Sequence, residues 1–243
     1  MTEKRFLDAR SDDQIVLRKW GALPETTHVF ERATKIAINA ALAAERPLLV
    51  RGEPGTGKSQ LARAAAEGLG RALVARTVDA RTESRDLCWS FDAVSRLAQA
   101  QVLAAERAES TQIAVKLDER CFLRPGPLWW AFDWVGAQRQ ARHAGAREPS
   151  RPEDWTEDQG VVLLLDEIDK ADSSVPNGLL EALGSGRFDA PGYPDGVVRN
   201  DRVTPLVIVT TNEERALPDA FLRRCLVLHL KLPTERAELL RCV

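Results

Sequence analysis

No stretch of this 243-residue chain approaches the roughly 18 uncharged apolar residues of a membrane-crossing helix. The start, Met1-Thr-Glu-Lys-Arg-Phe-Leu-Asp8, lacks the apolar centre of a secretory signal, so a soluble, cytoplasmic protein with no membrane partner is expected. Cysteine is sparse: Cys88, Cys121, Cys225 and Cys242 lie far apart with no Cys-x-x-Cys pair, as ordinary thiols of a reducing compartment do. Nor is one sign of charge in excess, with 34 basic residues against 36 acidic ones and a formal net charge of -2. The field of the whole chain therefore attracts neither nucleic acid nor an anionic membrane. One local basic stretch, Gln138-Arg-Gln-Ala-Arg-His143 with Arg147 beyond it, reads first as a solvated helix face and only second as a nucleic-acid patch. Internal repeats and low-complexity tracts are absent, and no Asn-Lys-x-Asp stretch that would recognise guanine occurs.

What is present is an apolar fraction of 44%, enough to bury an α/β core, and one unmistakable loop. Gly52-Glu-Pro-Gly-Thr-Gly-Lys58-Ser59 follows the apolar run Pro47-Leu-Leu-Val50 and precedes the helix-forming stretch Gln60-Leu-Ala-Arg-Ala-Ala-Ala-Glu67. A strand, a glycine loop and a helix in that order form a phosphate cradle, in which backbone N–H groups and the helix's positive end face the anion. Lys58 is placed to reach the β- and γ-phosphates and the Ser59 hydroxyl to ligate Mg²⁺. The expected nucleotide-contacting set is Gly52, Glu53, Pro54, Gly55, Thr56, Gly57, Lys58, Ser59 and Gln60.

A second signal is Asp166-Glu167 at the end of Val161-Val-Leu-Leu-Leu165, an uninterrupted apolar run that reads as a buried strand of a parallel sheet. Asp166 is expected in the Mg²⁺ sphere opposite Ser59, and Glu167 as the general base for the attacking water; a mere acidic helix cap is the alternative. Asp169 and Lys170 read as capping or charging the following helix. Asn212 ends the strand Leu206-Val-Ile-Val-Thr210 and could hydrogen-bond the lytic water or the γ-phosphate. Arg223 and Arg224 stand just before the last strand, Cys225-Leu-Val-Leu-His-Leu230; they would either act on a neighbouring subunit's nucleotide or form surface salt bridges.

Elsewhere, residues 1–28 read as mostly irregular, with Phe6, Leu7, Ile15, Val16, Leu17 and Trp20 as packing points, and Val29 to Glu45 as a partly buried helix. The phosphate-loop helix is expected to end at Gly68 and Gly70, before a strand over Arg71–Val78. Trp89, Phe91, Val94, Leu97, Val102 and Leu103 form a helical stripe expected to pack on the main body. Trp129, Trp130 and Trp134 read first as packing residues, and residues 148–160 as a proline-broken loop. The expected fold is α/β, a three-layer sandwich of the P-loop NTPase type with a mostly parallel five-stranded sheet and an insert between the second and third core strands.

These segments, with Gly126-Pro-Leu128, Leu163-Leu-Leu-Asp-Glu-Ile-Asp-Lys-Ala171 and Leu217-Pro-Asp-Ala-Phe-Leu-Arg-Arg224, make the chain resemble the AAA+ ATPases, and more narrowly their MoxR-like or dynein-related branch, over residues 29 to 235. The resemblance makes 52–59 the Walker A loop, 161–167 Walker B, Asn212 sensor 1 and Arg224 the arginine finger. Cys225 stands where the family usually has Phe, and Arg223, where an acid is frequent, is the lesser candidate. It implies an N-terminal segment (1–28), a nucleotide-binding core (29–231, insert-rich over 79–160) and the start of a C-terminal lid (232–243) that is otherwise largely missing. It further implies ATP and Mg²⁺ as cofactors and ring-shaped homo-oligomers, commonly hexamers, that remodel a protein or complex. An ATP-switched scaffold with little turnover and a DNA-associated ATPase or loader are the alternatives.

Overall fold

The computed structural model describes residues 6–19 and 24–231. Trp20, Cys242 and the helix expected from Thr234 lie outside the described residues. A hairpin of β1 (Asp13–Leu17) and β2 (Thr26–Phe30) leads into α1 (Arg32–Ala44), β3 (Leu48–Arg51), α2 (Lys58–Leu69) and β4 (Ala72–Thr77). The insert follows: β5 (Trp89–Phe91), α3 (Ala93–Ala105), α4 (Ser110–Lys116) and β6 (Leu123–Pro125), then α5 (Pro127–Phe132) and α6 (Trp134–His143). The chain closes with β7 (Val161–Asp166), α7 (Ser174–Ser185), the hairpin β8 (Arg187–Ala190) and β9 (Tyr193–Val198), β10 (Leu206–Thr211), α8 (Asp219–Arg224) and β11 (Leu226–His229).

Five strands form the central sheet in the order β11-β3-β10-β7-β4, every neighbouring pair parallel. The core is therefore an α/β fold with a five-stranded parallel sheet, interrupted by an insert between its second and third strands in chain order, β4 and β7. Side chains of a strand alternate between faces, and here that alternation divides the core in two. Leu49, Leu163, Leu165, Val207 and Val209 face α5, α6 and α7, whereas Leu48, Val50, Val162, Leu164 and Ile208 face α1 and α2. Burial on both faces explains the uninterrupted apolar runs. Among the described residues no helix is long and apolar enough to cross a membrane.

Four sequence expectations need correction. Residues 1–28 are not irregular throughout: β1 and β2 pair antiparallel from Asp13↔Phe30 to Leu17↔Thr26, and Leu7, Leu17 and Phe30 join the α1–α2 core layer. Helix α1 accordingly starts at Arg32, because Thr26 to Phe30 gains ladder bonds that the apolar spacing alone does not reveal. Gly68 lies within α2 rather than ending it; a Cβ there would stand 2.7 Å from the Leu7 side chain, and the helix terminates at Gly70, where φ is 65°. The apolar stripe from Trp89 to Leu103 packs on the main body only in part: Trp89 and Phe91 lie against the core, and the α3 positions Val94, Leu97 and Val102 do not. Trp89–Phe91 is a strand paired with β6, and α3 buries Leu103 while Val94 and Leu97 are 80% and 61% exposed. The β5–β6 ladder carries α3 outward, so its apolar face has little to meet.

Trp129, Trp130 and Trp134 are packing residues, all buried, Trp129 in edge-on contact with Tyr193 and Trp130 with Trp134. Cys88 and Cys225 are held as thiols, burial pushing each up to about 12. Gly126 begins α5 against the turn at residues 86–88, where a Cβ would lie 2.7 Å from the Leu87 carbonyl oxygen and 2.8 Å from that of Asp86. Backbone cannot yield as a side chain does, so Gly126→Ala is expected to lower stability by about 1–3 kcal/mol. Chemical denaturation checks this as a lower midpoint at unchanged slope.

Candidate functional site

The parallel register aligns the strand tips on one edge of the sheet. Thr211 of β10 sits beside Arg51 of β3, Val209 beside Leu165, and Thr77 of β4 beside Asp166 of β7. The segment following each tip therefore reaches the same rim: Gly52–Ser59 after β3, Glu167 after β7 and Asn212 after β10. Ligands of open parallel sheets bind at this carboxyl edge.

The glycine loop turns through left-handed backbone at Gly55 and Gly57, with φ of 85° and 84°, and Gly57 is the N-cap of α2. Gly52 meets a different constraint, because a Cβ there would lie 2.5 Å from the Leu230 carbonyl oxygen after β11. The first helical bond runs from Leu61 N–H to the Gly57 carbonyl, so the amides of Lys58, Ser59 and Gln60 have no partner in the preceding turn and point toward the loop. Lys58 is 7% exposed, and its ammonium donates to the Gly52 and Glu53 carbonyls at 2.7 and 2.9 Å. Glu53, Pro54 and Gly55 form the exposed crest, which Thr56 closes by donating its hydroxyl to the Glu53 carbonyl. The Gln60 side chain hydrogen-bonds His28, with its Oε1 still beside Gly57.

Asp166 is the meeting point. Its Oδ2 accepts the Ser59 hydroxyl at 2.8 Å and its Oδ1 the Thr210 hydroxyl at 2.5 Å, while Thr210 Oγ1 accepts the Glu167 N–H at 2.9 Å. Thr210 is fully buried and ties β10 to the turn after β7. The sequence pattern does not single it out; its signal is a hydroxyl at the carboxyl end of an otherwise apolar buried strand. Glu167 is left-handed, with φ of 61°, an uncommon conformation for a residue with a side chain. That turn brings its carboxylate over the strand tips, where Oε1 accepts from Asn212 Nδ2 at 3.2 Å and Oε2 from Lys170 Nζ at 2.7 Å. The Glu167 carboxylate in turn holds the Lys170 ammonium above its ordinary range.

Asp169 and Lys170 therefore do not cap or charge α7. Asp169 is 2% exposed and accepts the Glu214 N–H at 2.9 Å, fastening the loop after β10 to the turn after β7, while Lys170 pairs with Glu167. Asp172 is the residue that accepts the Ser174 N–H at the start of α7. Arg51, at the tip of β3, forms an ion pair with Glu213 and braces the loop carrying Asn212 from the other side.

The structure thus gathers Lys58, Ser59, Asp166, Glu167 and Asn212, but not Arg223 and Arg224. Leu226 pairs with Leu48 and its N–H donates to the Pro47 carbonyl, so both arginines lie at the amino edge of the sheet, the length of β3 away from the glycine loop. Both are exposed, and their carbonyls are gripped by the Arg46 guanidinium. The basic stretch in α6 is partly neutralised, since Glu148 accepts from Arg142 at 3.1 Å and from Gln138 at 2.7 Å.

A family model described as AAA domain (dynein-related subfamily) matches residues 47–225, which include every strand of the central sheet except β11. A solved structure from Cytophaga hutchinsonii, described as a "putative ATPase", is 14% identical with a TM-score of 0.45. The similarity covers 85% of this chain and 47% of that one, so the chain spans about half the length of that protein. No curated protein matches the chain.

Proposed function

Because the chain belongs to the AAA domain family, in its dynein-related subfamily, we propose that it binds ATP with Mg²⁺ at the carboxyl edge of the sheet and hydrolyses it within an oligomer, driving the remodelling of a protein or complex. The observation that carries this reading is the 2.8 Å contact between Ser59 Oγ and Asp166 Oδ2 beneath the glycine loop. Neighbouring oxygens around an octahedral Mg²⁺ with bonds of about 2.0–2.1 Å stand about 2.9 Å apart, so the pair fits that ion either directly or through its water shell. Bound there, Mg²⁺ would neutralise charge on the β- and γ-phosphate oxygens.

The protein's own groups do the rest. Lys58 exchanges the Gly52 and Glu53 carbonyls for phosphate oxygens, and the amides at the start of α2 orient the phosphate chain. Glu167 accepts the proton of the attacking water once one carboxylate oxygen is released from Lys170 or Asn212, and Asn212 then positions that water. Arg224 lies too far along the sheet to reach the nucleotide of its own chain; in a ring it would serve the neighbour's. Under this reading residues 29–231 form the nucleotide-binding core and 232–243 begin a lid.

Lys58→Ala is the direct test. Removing a charged donor to phosphate is expected to weaken ATP binding by about 100-fold, roughly 3 kcal/mol, as read by titration calorimetry with the fold checked by circular dichroism. Undiminished affinity would overturn the assignment of the loop. The double engagement of Glu167 by Lys170 and Asn212 favours a second reading, an ATP-switched scaffold in which the base stays occupied. Phosphate release that stays negligible while ATP still assembles the chain would select it.

A further inference from the structure

At the far end of α2 lies a second polar cavity that nucleotide binding does not use. Its volume is about 340 Å³, within the range of small-molecule sites. Its walls carry five cationic side chains, Arg18, Lys19, Arg63, Arg71 and Arg151, against the carboxylates of Glu67 and Asp154. Gly70 and Leu73 place it where α2 ends and β4 begins, about 18 Å along the helix from the glycine loop.

Arg63 and Arg71 are each only 6% exposed. Among the described residues neither pairs with a carboxylate. Arg63 Nη2 donates to the Arg18 and Pro24 carbonyls at 2.8 and 3.1 Å, and Arg71 Nη1 to the Thr204 carbonyl at 2.9 Å. Each guanidinium has five N–H donors, so neutral carbonyls satisfy a minority of them and supply no counter-charge. Buried charges are ordinarily paired, because an unpaired one has lost its hydration without an opposite charge to replace it. Burial with no compensating acid draws Arg71 down to about 10. Of the two lining carboxylates, Glu67 is engaged by Arg18 at 3.7 Å. A fixed wall completes the cavity: the buried Trp155 indole donates to the Gly160 carbonyl at 2.9 Å, and the Arg151 guanidinium lies over its ring, 5.6 Å from the centroid.

We infer that this cavity is a second ligand site, separate from the nucleotide site, which takes a small polyanion whose phosphate or carboxylate groups supply the counter-charge to Arg63 and Arg71. Arginine suits the role, since its planar fork binds both oxyanions in bidentate fashion. Arg151, exposed at the rim and stacked on Trp155, closes over the ligand.

The test uses the Lys58→Ala protein, so that phosphate affinity at the glycine loop does not mask the second site, titrated with inorganic pyrophosphate and separately with citrate at low salt. Saturable one-to-one binding of either is expected, weakened at least 10-fold by Arg71→Met and also by the rim substitution Arg151→Ala, with a ligand-dependent rise in melting temperature that Arg71→Met abolishes. Binding of pyrophosphate alone assigns a phosphorylated ligand, and of citrate alone a polycarboxylate. Without ligand, Arg71→Met is expected to melt no lower than its parent, because it removes an unpaired charge. Absence of saturable binding by both anions, or binding that neither substitution weakens, would overturn the site. So would a marked loss of ligand-free stability in Arg71→Met, which would make the guanidinium a strap for Thr204.

Discussion

Glu167→Gln is expected to bind ATP as the parent does and to hydrolyse it about 10³-fold more slowly. The amide has the shape of the carboxylate, can adopt the same left-handed turn after β7, and can still accept from Asn212. It cannot accept a proton from water. Ser59, Asp166 and Thr210 bond to one another and to the Glu167 main-chain N–H rather than to its side chain, so they keep their arrangement. Equilibrium binding of a fluorescent ATP analogue and phosphate release, measured on the same preparation, separate the two effects. Turnover at the parent's rate would place the base elsewhere. Loss of binding would make Glu167 a structural residue, whose role is to hold Lys170 and Asn212.

The second large effect concerns a residue with no place in its own site. Arg224→Ala is expected to lower turnover by about 10³-fold without weakening ATP binding, because a guanidinium presented to the neighbour's γ-phosphate stabilises charge only as it develops. Two consequences distinguish this from simple destabilisation. Turnover by the parent should rise with protein concentration as protomers assemble. Mixing Arg224→Ala with Glu167→Gln should restore part of the activity, since a Glu167→Gln protomer can lend its arginine to a neighbour whose base is intact. Failure of the mixture to recover activity, with mixed oligomers present, would remove the role in trans. Arg223→Ala in the same assay shows whether its neighbour acts instead.

Some of this was readable before any coordinates. The run from Val161 to Leu165 is apolar at every position because both faces of β7 are covered, and such a run announces a central parallel strand. The glycine loop is similarly explicit: its residues are dictated by local backbone geometry, so a string of eight letters suffices. The hairpin β1–β2 was not legible, because its ladder joins residues up to 17 apart and neither strand has a clean alternation. The periodicity of α3 showed which face is apolar but not whether anything lies opposite, and in the folded chain Val94 and Leu97 face outward.

The candidate site divides along the same line. Lys58, Ser59, Asp166, Glu167 and Asn212 stand in local patterns at strand ends, and their types are informative without knowledge of distance. Thr210, Lys170 and Asp169 acquire their significance only from contacts across 43 to 45 positions or from a turn that no motif specifies. Order along the chain established the phosphate loop, the acid pair and the parallel α/β core, because these depend on local geometry and on burial repeated strand by strand. Tertiary packing alone decided that Thr210 bridges Asp166 to Glu167, that Arg224 stands at the opposite edge from the glycine loop, and that Arg63 and Arg71 are buried without a counter-charge among the described residues. Each of those facts is a distance between segments remote in the chain, and a linear pattern carries no distances.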